Sequence, residues 1–492
     1  METKAEAKME TEKGAGEFAP RQVNRFIELE SGTLHYSIEA GFLPTFSGGG
    51  EQTGNMFYVA YNRIQQSKGS QKRPLSFVFN GGPGSASLML HMDCLGPRIA
   101  DLGNGIDPSA APYFPMNNPD TLLEVSDLVF IDPIGTGYSR ALPSVDVKET
   151  FWGSEADSKS VCSFIRLYLT RKGGFDAPIY VIGESYGGFR CGMMASHLQD
   201  IGIQPTGLVL VSPALNYQEL VPLIGNDRPY VHTLPTMACA ARHHKKLSQR
   251  LLSLETDALY REAKSWAEER YLPALWKGNS LSPEERRAVA EEHASYSGLS
   301  ADEVLRFDLR VPLDYFAGHL LRGERLFLGV YDARCVARGP IHNFKEDPSL
   351  LRAQLPAASA FMDFIANEVG LIRDEEYKFS NGDIHPAWDF TTGVPKTDSG
   401  GEGFAGAIDA LSRSLRRNPA TKVLVASGNY DLMCNRSSSE FAVNHLDVSP
   451  EVRERVVLKD YEGGHMFYTT AEVRRRFRRD LGDFYAMDKT EG

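Results

Sequence analysis

The 492-residue chain contains no run of 18 consecutive apolar residues, so no membrane span is expected. It has six cysteines, at 94, 162, 191, 239, 335 and 434, with no C-x-x-C pair and no metal-ligand spacing. At this length that argues against both a disulfide scaffold and a thiolate metal site, and neither metal nor cofactor is expected. The neighbouring His243 and His244 lack an acid or cysteine at ligand spacing and read as part of a solvated helix face. No internal repeat is visible. Positive charge is not in excess: 53 basic residues face 64 acidic ones, a net charge of −11, which leaves no footprint for nucleic acid. The most basic stretch, Arg474 to Arg479, has Val473, Phe477, Leu481 and Phe484 at helical spacing, so it reads as a helix with one buried face. Met1 to about Pro20 has few apolar residues, and residues 1–21 are expected to form a disordered tail. That tail has no apolar secretory core. As written, the chain is expected in the cytoplasm, or in a secreted or periplasmic setting if a leader has been removed.

What the chain does have is the pentapeptide Gly183-Glu184-Ser185-Tyr186-Gly187. It follows the apolar run Ile179 to Ile182 and precedes a stretch that can be helical, 188–200. G-x-S-x-G between a strand and a helix lifts a serine hydroxyl clear of the sheet on a sharp turn. Upstream, the strand-like 75–79 runs into Asn80-Gly81-Gly82-Pro83-Gly84. This loop is neither G-x-G-x-x-G nor a Gly-Lys-Ser/Thr phosphate loop. It can supply one of the two backbone N–H groups that a developing oxyanion needs, from Gly82, with the other from Tyr186. Far downstream, the strand signal at 422–427 leads to Asp431, and Val456-Val457-Leu458 leads to Gly463-Gly464-His465-Met466. The chain order Ser…Asp…His is that of the α/β-hydrolases. The expected triad is therefore Ser185 as nucleophile, His465 as base and Asp431 as its orienting acid, with Asp409 and Asp460 as nearby alternatives for the acid.

With these segments in this order, the chain resembles the serine carboxypeptidase family of the carboxypeptidase Y type. The 130–139 and Gly329-Val330-Tyr331-Asp332-Ala333-Arg334 segments are similar to its bacterial-type branch. The resemblance spans roughly residues 22–486. It implies peptide substrates with a free C-terminus, no nucleic-acid or membrane partner, and a homodimer as the family-typical state. It also implies that Asn80 and a protonated Glu184 grip the substrate's terminal carboxylate and that Cys434 lies near the site. Met466 reads either as a wall of the pocket for the leaving residue or as core. Burial and neighbouring negative charge would both keep such a carboxyl protonated. Two positions depart from the family pattern. Ser85 stands where eukaryotic members carry a disulfide cysteine. Cys94 stands where a second glutamate would pair with Glu184, and on an α-helix the adjacent Asp93 is expected to point elsewhere.

The expected fold is α/β: an α/β-hydrolase with a mostly parallel central sheet. Antiparallel strands at 25–40 and 55–62 would precede parallel strands at 75–79, 127–132, 177–182, 207–212 and 422–427, with helices at 155–171 and 188–200. Ser185 and Asp431 are 246 positions apart (431 − 185), more than the plain fold needs. Residues 22–216 and 404–492 are read as the two parts of the core, and 217–403 as a helical lid. The lid carries capping boxes at Ser282 and Ser300, with helices at 283–293 and 301–307 and further ones at 245–270 and 356–370. Three functions fit: a carboxypeptidase, an acyltransferase or esterase on the same scaffold, or a binding protein with a relic site. The intact Ser185, Asp431 and His465 disfavour the last.

Overall fold

The computed structural model describes residues 19–64, 72–107, 110–339, 346–392 and 405–487. The β-branched and aromatic runs build one ten-stranded sheet. Arg21–Leu29 (β1), Gly32–Phe46 (β2) and Gln52–Arg63 (β3) form an antiparallel meander. Leu75–Phe79 (β4), Asp127–Ile131 (β5), Ile179–Glu184 (β7), Gly207–Val211 (β8), Lys422–Gly428 (β9) and Val456–Tyr461 (β10) run parallel to one another. The short Arg140–Ala141 (β6) pairs with β3. The spatial order is β1-β2-β3-β5-β4-β7-β8-β9-β10.

Every residue of β4, β7, β8 and β9 is buried, because helices cover both faces of the sheet. The principal helices are Ser154–Lys172 (α1), Tyr186–Asp200 (α2), Arg228–His243 (α3), Pro348–Asp363 (α4), Ile408–Arg417 (α5), Arg436–Asn444 (α6) and Ala471–Ala486 (α7). Ile179, Val181, Leu208, Leu210, Val423 and Val425 pack with α1, α2, α5 and α6. Their neighbours Tyr180, Ile182, Val209, Val211, Leu424 and Ala426 pack with α4 and α7 on the other face. This is the period-two alternation of strands sandwiched between helix layers. The arginine-rich segment is α7, which buries Phe477, Leu481 and Phe484 as its spacing indicated.

Several elements differ from the sequence reading. The stretch 25–40 is a hairpin rather than one strand. The chain reverses at Glu30-Ser31, and Gly32, which opens β2 opposite Leu29, has φ +113°. Pairing of Ile27 with Leu34 keeps the apolar alternation running through the turn, so the break leaves no trace in the pattern. Helix α3 was not anticipated because Pro235 lies inside it, where proline removes a donor and crowds the preceding turn. The expected helix at 245–270 is broken into Gln249–Leu252 and Thr256–Trp266. The helix expected from 356 begins at Pro348, where the Asp347 side chain accepts from the Ser349 and Leu350 amides, and it runs through Pro356. Both capping-box helices are present, at Pro283–Ser297 and Ala301–Arg306.

Between β8 and β9, the helices from 228 to 321 enclose an apolar cluster of their own, whereas 353–371 packs with the β1–β3 end of the sheet. Most of the expected return segment and tail, 393–404 and 1–18, lies outside the described residues.

Candidate active site

Strand β7 delivers Ser185 at the carboxyl edge of the sheet, and α2 begins one residue later. Ser185 has φ 61° and ψ −123°, a conformation that costs a non-glycine residue about 1–3 kcal/mol and persists only where neighbours enforce it. Here its N–H donates to Val211 O (2.9 Å), and its carbonyl accepts from Gly188 N (2.9 Å) and Ala214 N (3.1 Å). A Cβ on Gly183 would stand 2.1 Å from the Gly187 carbonyl oxygen, so the turn closes only with glycine there. Tyr186 is the first residue of α2, where backbone N–H groups have no intrahelical acceptor. Gly82, at φ +104°, lines the same cavity as Ser185. The loop carrying Gly82 is fastened to α2 by buried Arg190. This guanidinium pairs with Asp157 (2.6 Å) and donates to Asn80 O (2.8 Å). It also lies over the Phe79 and Tyr186 rings, at 5.0 and 5.2 Å.

Asp431 and His465 lie on the loops after β9 and β10. His465 Nδ1 is 2.7 Å from Asp431 Oδ2, and Asp431 Oδ1 accepts from the Met433 and Cys434 amides, each at 2.9 Å. Both side chains are buried. Burial alone would push the imidazole pKa down, but the Asp431 charge and hydrogen bond, with a contribution from Glu184, leave it raised. Asp460 lies on β10 beside Arg436 (3.4 Å), and Asp409 lies in the first turn of α5. Buried Cys434 joins the two halves of the site. Its thiol is within 4.8 Å of both the Asp431 carboxylate and a His465 ring nitrogen, and it lines the same cavity as Ser185. Burial and the Asp431 charge push that thiol well up, so it is neutral and a poor metal ligand or nucleophile. Among the described residues, Asp431, Cys434 and His465 are the acid, thiol and imidazole groups close enough to share an ion.

Asn80 and Glu184 are both fully buried, at 0 and 1% exposure. Asn80 Oδ1 accepts from Leu90 N (3.0 Å), while its Nδ2 makes no hydrogen bond of normal geometry. Burial raises the Glu184 pKa to about 7, helped by the Asp431 charge and opposed by His465, the Tyr468 hydroxyl and the nearby Asn80 amide. Asp93 departs from expectation. Leu90–Leu95 is a π-helical turn, closed by Gly96 N donating to His91 O, and its wider pitch changes where side chains point. Asp93 is completely buried, neither carboxyl oxygen has a partner, and it interacts electrostatically with Glu184. Its pKa is pushed well up by burial and by Glu184. Asp93 and Cys94 both interact electrostatically with Glu184.

The cavity at Ser185 has a volume of about 310 Å³. Gly82, Tyr217, Val311, Tyr331, Leu432 and Cys434 are among its walls, and among the described residues no Lys, Arg, Asp or Glu lines it. Met466, read as pocket wall or core, joins the core, beside a small separate cavity near Asp332 and Arg352. Sequence reasoning also passed over Tyr331, Asp332 and Arg334 as individual residues. The only signal was the segment 329–334 as a whole.

The strand order and the strand–turn–helix around Ser185 define an α/β-hydrolase of the serine-hydrolase class. Residues 30–207 match the family model described as serine carboxypeptidase. This stretch holds Asn80, Gly82, Glu184 and Ser185. The chain is similar to Serine carboxypeptidase-like 44 of Arabidopsis thaliana, 24% identical over 181 residues, covering 33% of this chain and 34% of the relative. It is also similar to Serine carboxypeptidase-like 50 of the same plant, 26% identical over 153 residues, covering 30 and 31%. The matches span about a third of the length of these relatives. Among solved structures, proline iminopeptidase of Mycobacterium smegmatis is 12% identical with a TM-score of 0.38, covering 91% of this chain and 98% of that one. A soluble variant of monoglyceride lipase of Saccharomyces cerevisiae is 11% identical with a TM-score of 0.37, covering 91 and 94%. Among the described residues, no helix is long and apolar enough to cross a membrane.

Proposed function

We propose that this protein is a serine carboxypeptidase. Ser185 Oγ attacks the carbonyl of the last peptide bond while His465 accepts its proton and Asp431 holds the resulting imidazolium. The N–H groups of Gly82 and Tyr186 bind the oxyanion. The intermediate collapses as His465 returns the proton to the departing amino group, and water then frees the acyl group by the same steps. The observation that carries this reading is the pair beside the nucleophile. Asn80 Nδ2 is an uncommitted buried donor, and Glu184, with a pKa near 7, can donate a proton in a hydrogen bond to a substrate carboxylate. The helices at 228–321 then act as a cap that limits entry to chain ends.

One observation favours a second reading, ester hydrolysis or acyl transfer on the same triad. Asn80 and Glu184 are closed off from solvent, whereas the apolar cavity that opens on Ser185 needs no terminal carboxylate. Matched blocked dipeptides, one with a free C-terminus and one amidated, separate the two. A carboxypeptidase releases the last residue from the free form and leaves the amide nearly untouched. Equal rates on both, or turnover of esters alone, would support the second reading.

A further inference from the structure

We infer that the turn Gly329–Cys335, contributed by the insertion between β8 and β9, is a clamp that sets the alignment of Asp431 with His465. Asp332 and Arg334 are its positioning residues. The inference rests on the acid–base reading of that pair. Asp431 and His465 sit on separate loops, and the 2.7 Å hydrogen bond between them requires those loops to hold a fixed register. The loops touch directly, with Tyr430 N donating to Gly463 O (2.9 Å) and Asn429 N to Tyr461 O (3.0 Å). The turn 329–335 then bonds to both. On the acid side, Leu432 N donates to Val330 O and Ala333 N to Tyr430 O, each at 3.0 Å. On the base side, His465 N donates to Tyr331 O (2.5 Å), Gly464 N to Asp332 Oδ2 (3.0 Å) and Arg334 Nη1 to Glu462 O (3.0 Å). The fit is close. A Cβ on Gly464 would stand 2.3 Å from Tyr331 O and 2.4 Å from Asp332 Cβ. The Tyr331 ring meets the His465 ring edge-on, with centroids 5.4 Å apart, and also forms a wall of the Ser185 cavity.

The turn is itself rigid. Asp332 accepts from Arg334 Nε (3.0 Å), Arg334 Nη2 (2.7 Å) and the Arg334 amide (3.0 Å). The Arg334 guanidinium lies over the Tyr430 ring at 5.0 Å. Behind it, Ser349 Oγ accepts from Asp332 N (3.0 Å), and Asp347 Oδ2 accepts from Val330 N (2.7 Å). His244, at the end of α3, places Nε2 2.7 Å from Ala333 O, which ties the clamp to the cap helices. Residues about 100 positions before Asp431 thus govern the geometry of the proton transfer without touching substrate. A displacement of about 1 Å in such a group can cost about 100-fold in rate.

The test compares Asp332→Asn, Arg334→Ala, Arg334→Lys and Ser349→Ala with the parent and with His465→Ala, in ester turnover and in the rate of Ser185 labelling by a fluorophosphonate. The fraction of folded enzyme is set by near-ultraviolet circular dichroism. Arg334→Ala and Asp332→Asn are expected to lower kcat and the labelling rate of the folded enzyme about 10- to 100-fold, with KM within about twofold. Arg334→Lys should recover part of the loss, because lysine restores charge without the two-pronged geometry. Ser349→Ala removes one strut and leaves the ion pair, so it should lower kcat several-fold. It carries the test if the ion-pair variants do not fold. Unchanged kcat in folded Arg334→Ala or Ser349→Ala, or a loss confined to KM, would overturn the clamp. Full activity in His465→Ala would instead overturn the acid–base reading itself.

Discussion

Replacing Glu184 with glutamine should alter the pH dependence of both folding and substrate choice. The Glu184 carboxyl moves from 4.5 to about 7 in the folded chain, which is worth about 3 kcal/mol at 1.36 kcal/mol per pH unit. Between those values the folded protein keeps a proton that the unfolded chain has released. Its contribution to stability is therefore fully present below pH 4.5, declines as pH rises and is gone above about 7. Glutamine carries no charge at any of these pH values, so Glu184→Gln should gain about 3 kcal/mol on the parent between pH 4.5 and 8. At about 2.1 cal/mol/K per residue, a chain of this length unfolds with an entropy of about 1 kcal/mol/K, so the gain corresponds to about 3 °C in Tm. Thermal unfolding of both proteins at half-unit steps of pH reads this directly. On the activity side, the ratio of kcat/KM for a free-carboxyl dipeptide to that for a blocked ester cancels the titration of His465, which both substrates share. In the parent this ratio should fall about tenfold per pH unit above 7, and in Glu184→Gln it should stay level. A Tm difference that does not change from pH 5 to 8, together with identical ratios in the two proteins, would refute both the neutral carboxyl and its role.

Replacement of Ser185 or His465 by alanine should lower kcat by about 10⁶-fold and Asp431→Asn by about 10⁴-fold; steady-state ester hydrolysis checks this, and residual activity within tenfold of the parent would reassign the residue. Asn80→Ala should raise KM for peptides with a free C-terminus and leave amidated or ester substrates nearly unchanged, and an equal loss on all of them would make Asn80 structural. Among the described residues, no Lys, Arg, Asp or Glu lines the cavity at Ser185, and burying an unpaired charge costs several kcal/mol. Acyl-side lysine or glutamate should therefore lower kcat/KM at least about 100-fold relative to phenylalanine in blocked dipeptides, and similar values for all three would show that the acyl side chain binds elsewhere.

The parallel half of the sheet was legible in the sequence because strands buried on both faces can be written only as continuous apolar runs, and each of β4, β7, β8 and β9 is such a run. The nucleophile turn was legible because its backbone admits few residues at 183 and 187. Helix α3 was not, because a proline at 235 contradicts the local rule and burial against the cap helices overrides it. Asp93 was misjudged because α-helical spacing was applied to a turn that is π-helical. Met466 stayed open between pocket wall and core because adjacency to His465 along the chain says nothing about side-chain direction at a sharp turn. The contacts of Asp332 and Arg334 depend on a turn from the insertion meeting two loops that follow it by about 100 and 130 positions, which no local pattern encodes.

How Asp431, Glu184 and Asp93 divide their roles follows from the supply of donors. Asp431 receives two backbone amides and the His465 ring, an arrangement that serves an acceptor. Glu184 receives the Tyr468 hydroxyl, with the Asn80 amide nearby, and burial holds it protonated up to about pH 7. Asp93 receives nothing, and burial pushes its pKa well up. Hydrogen bonds to the charged form and burial act in opposite directions on a carboxyl. A protonated Glu184 withholds negative charge beside Ser185, where a substrate's own carboxylate would be repelled by it. If Asp93 and Glu184 were both ionised, two interacting anions would be buried near the nucleophile, opposed only in part by Arg474 and His465, and a peptide terminus would be repelled by them.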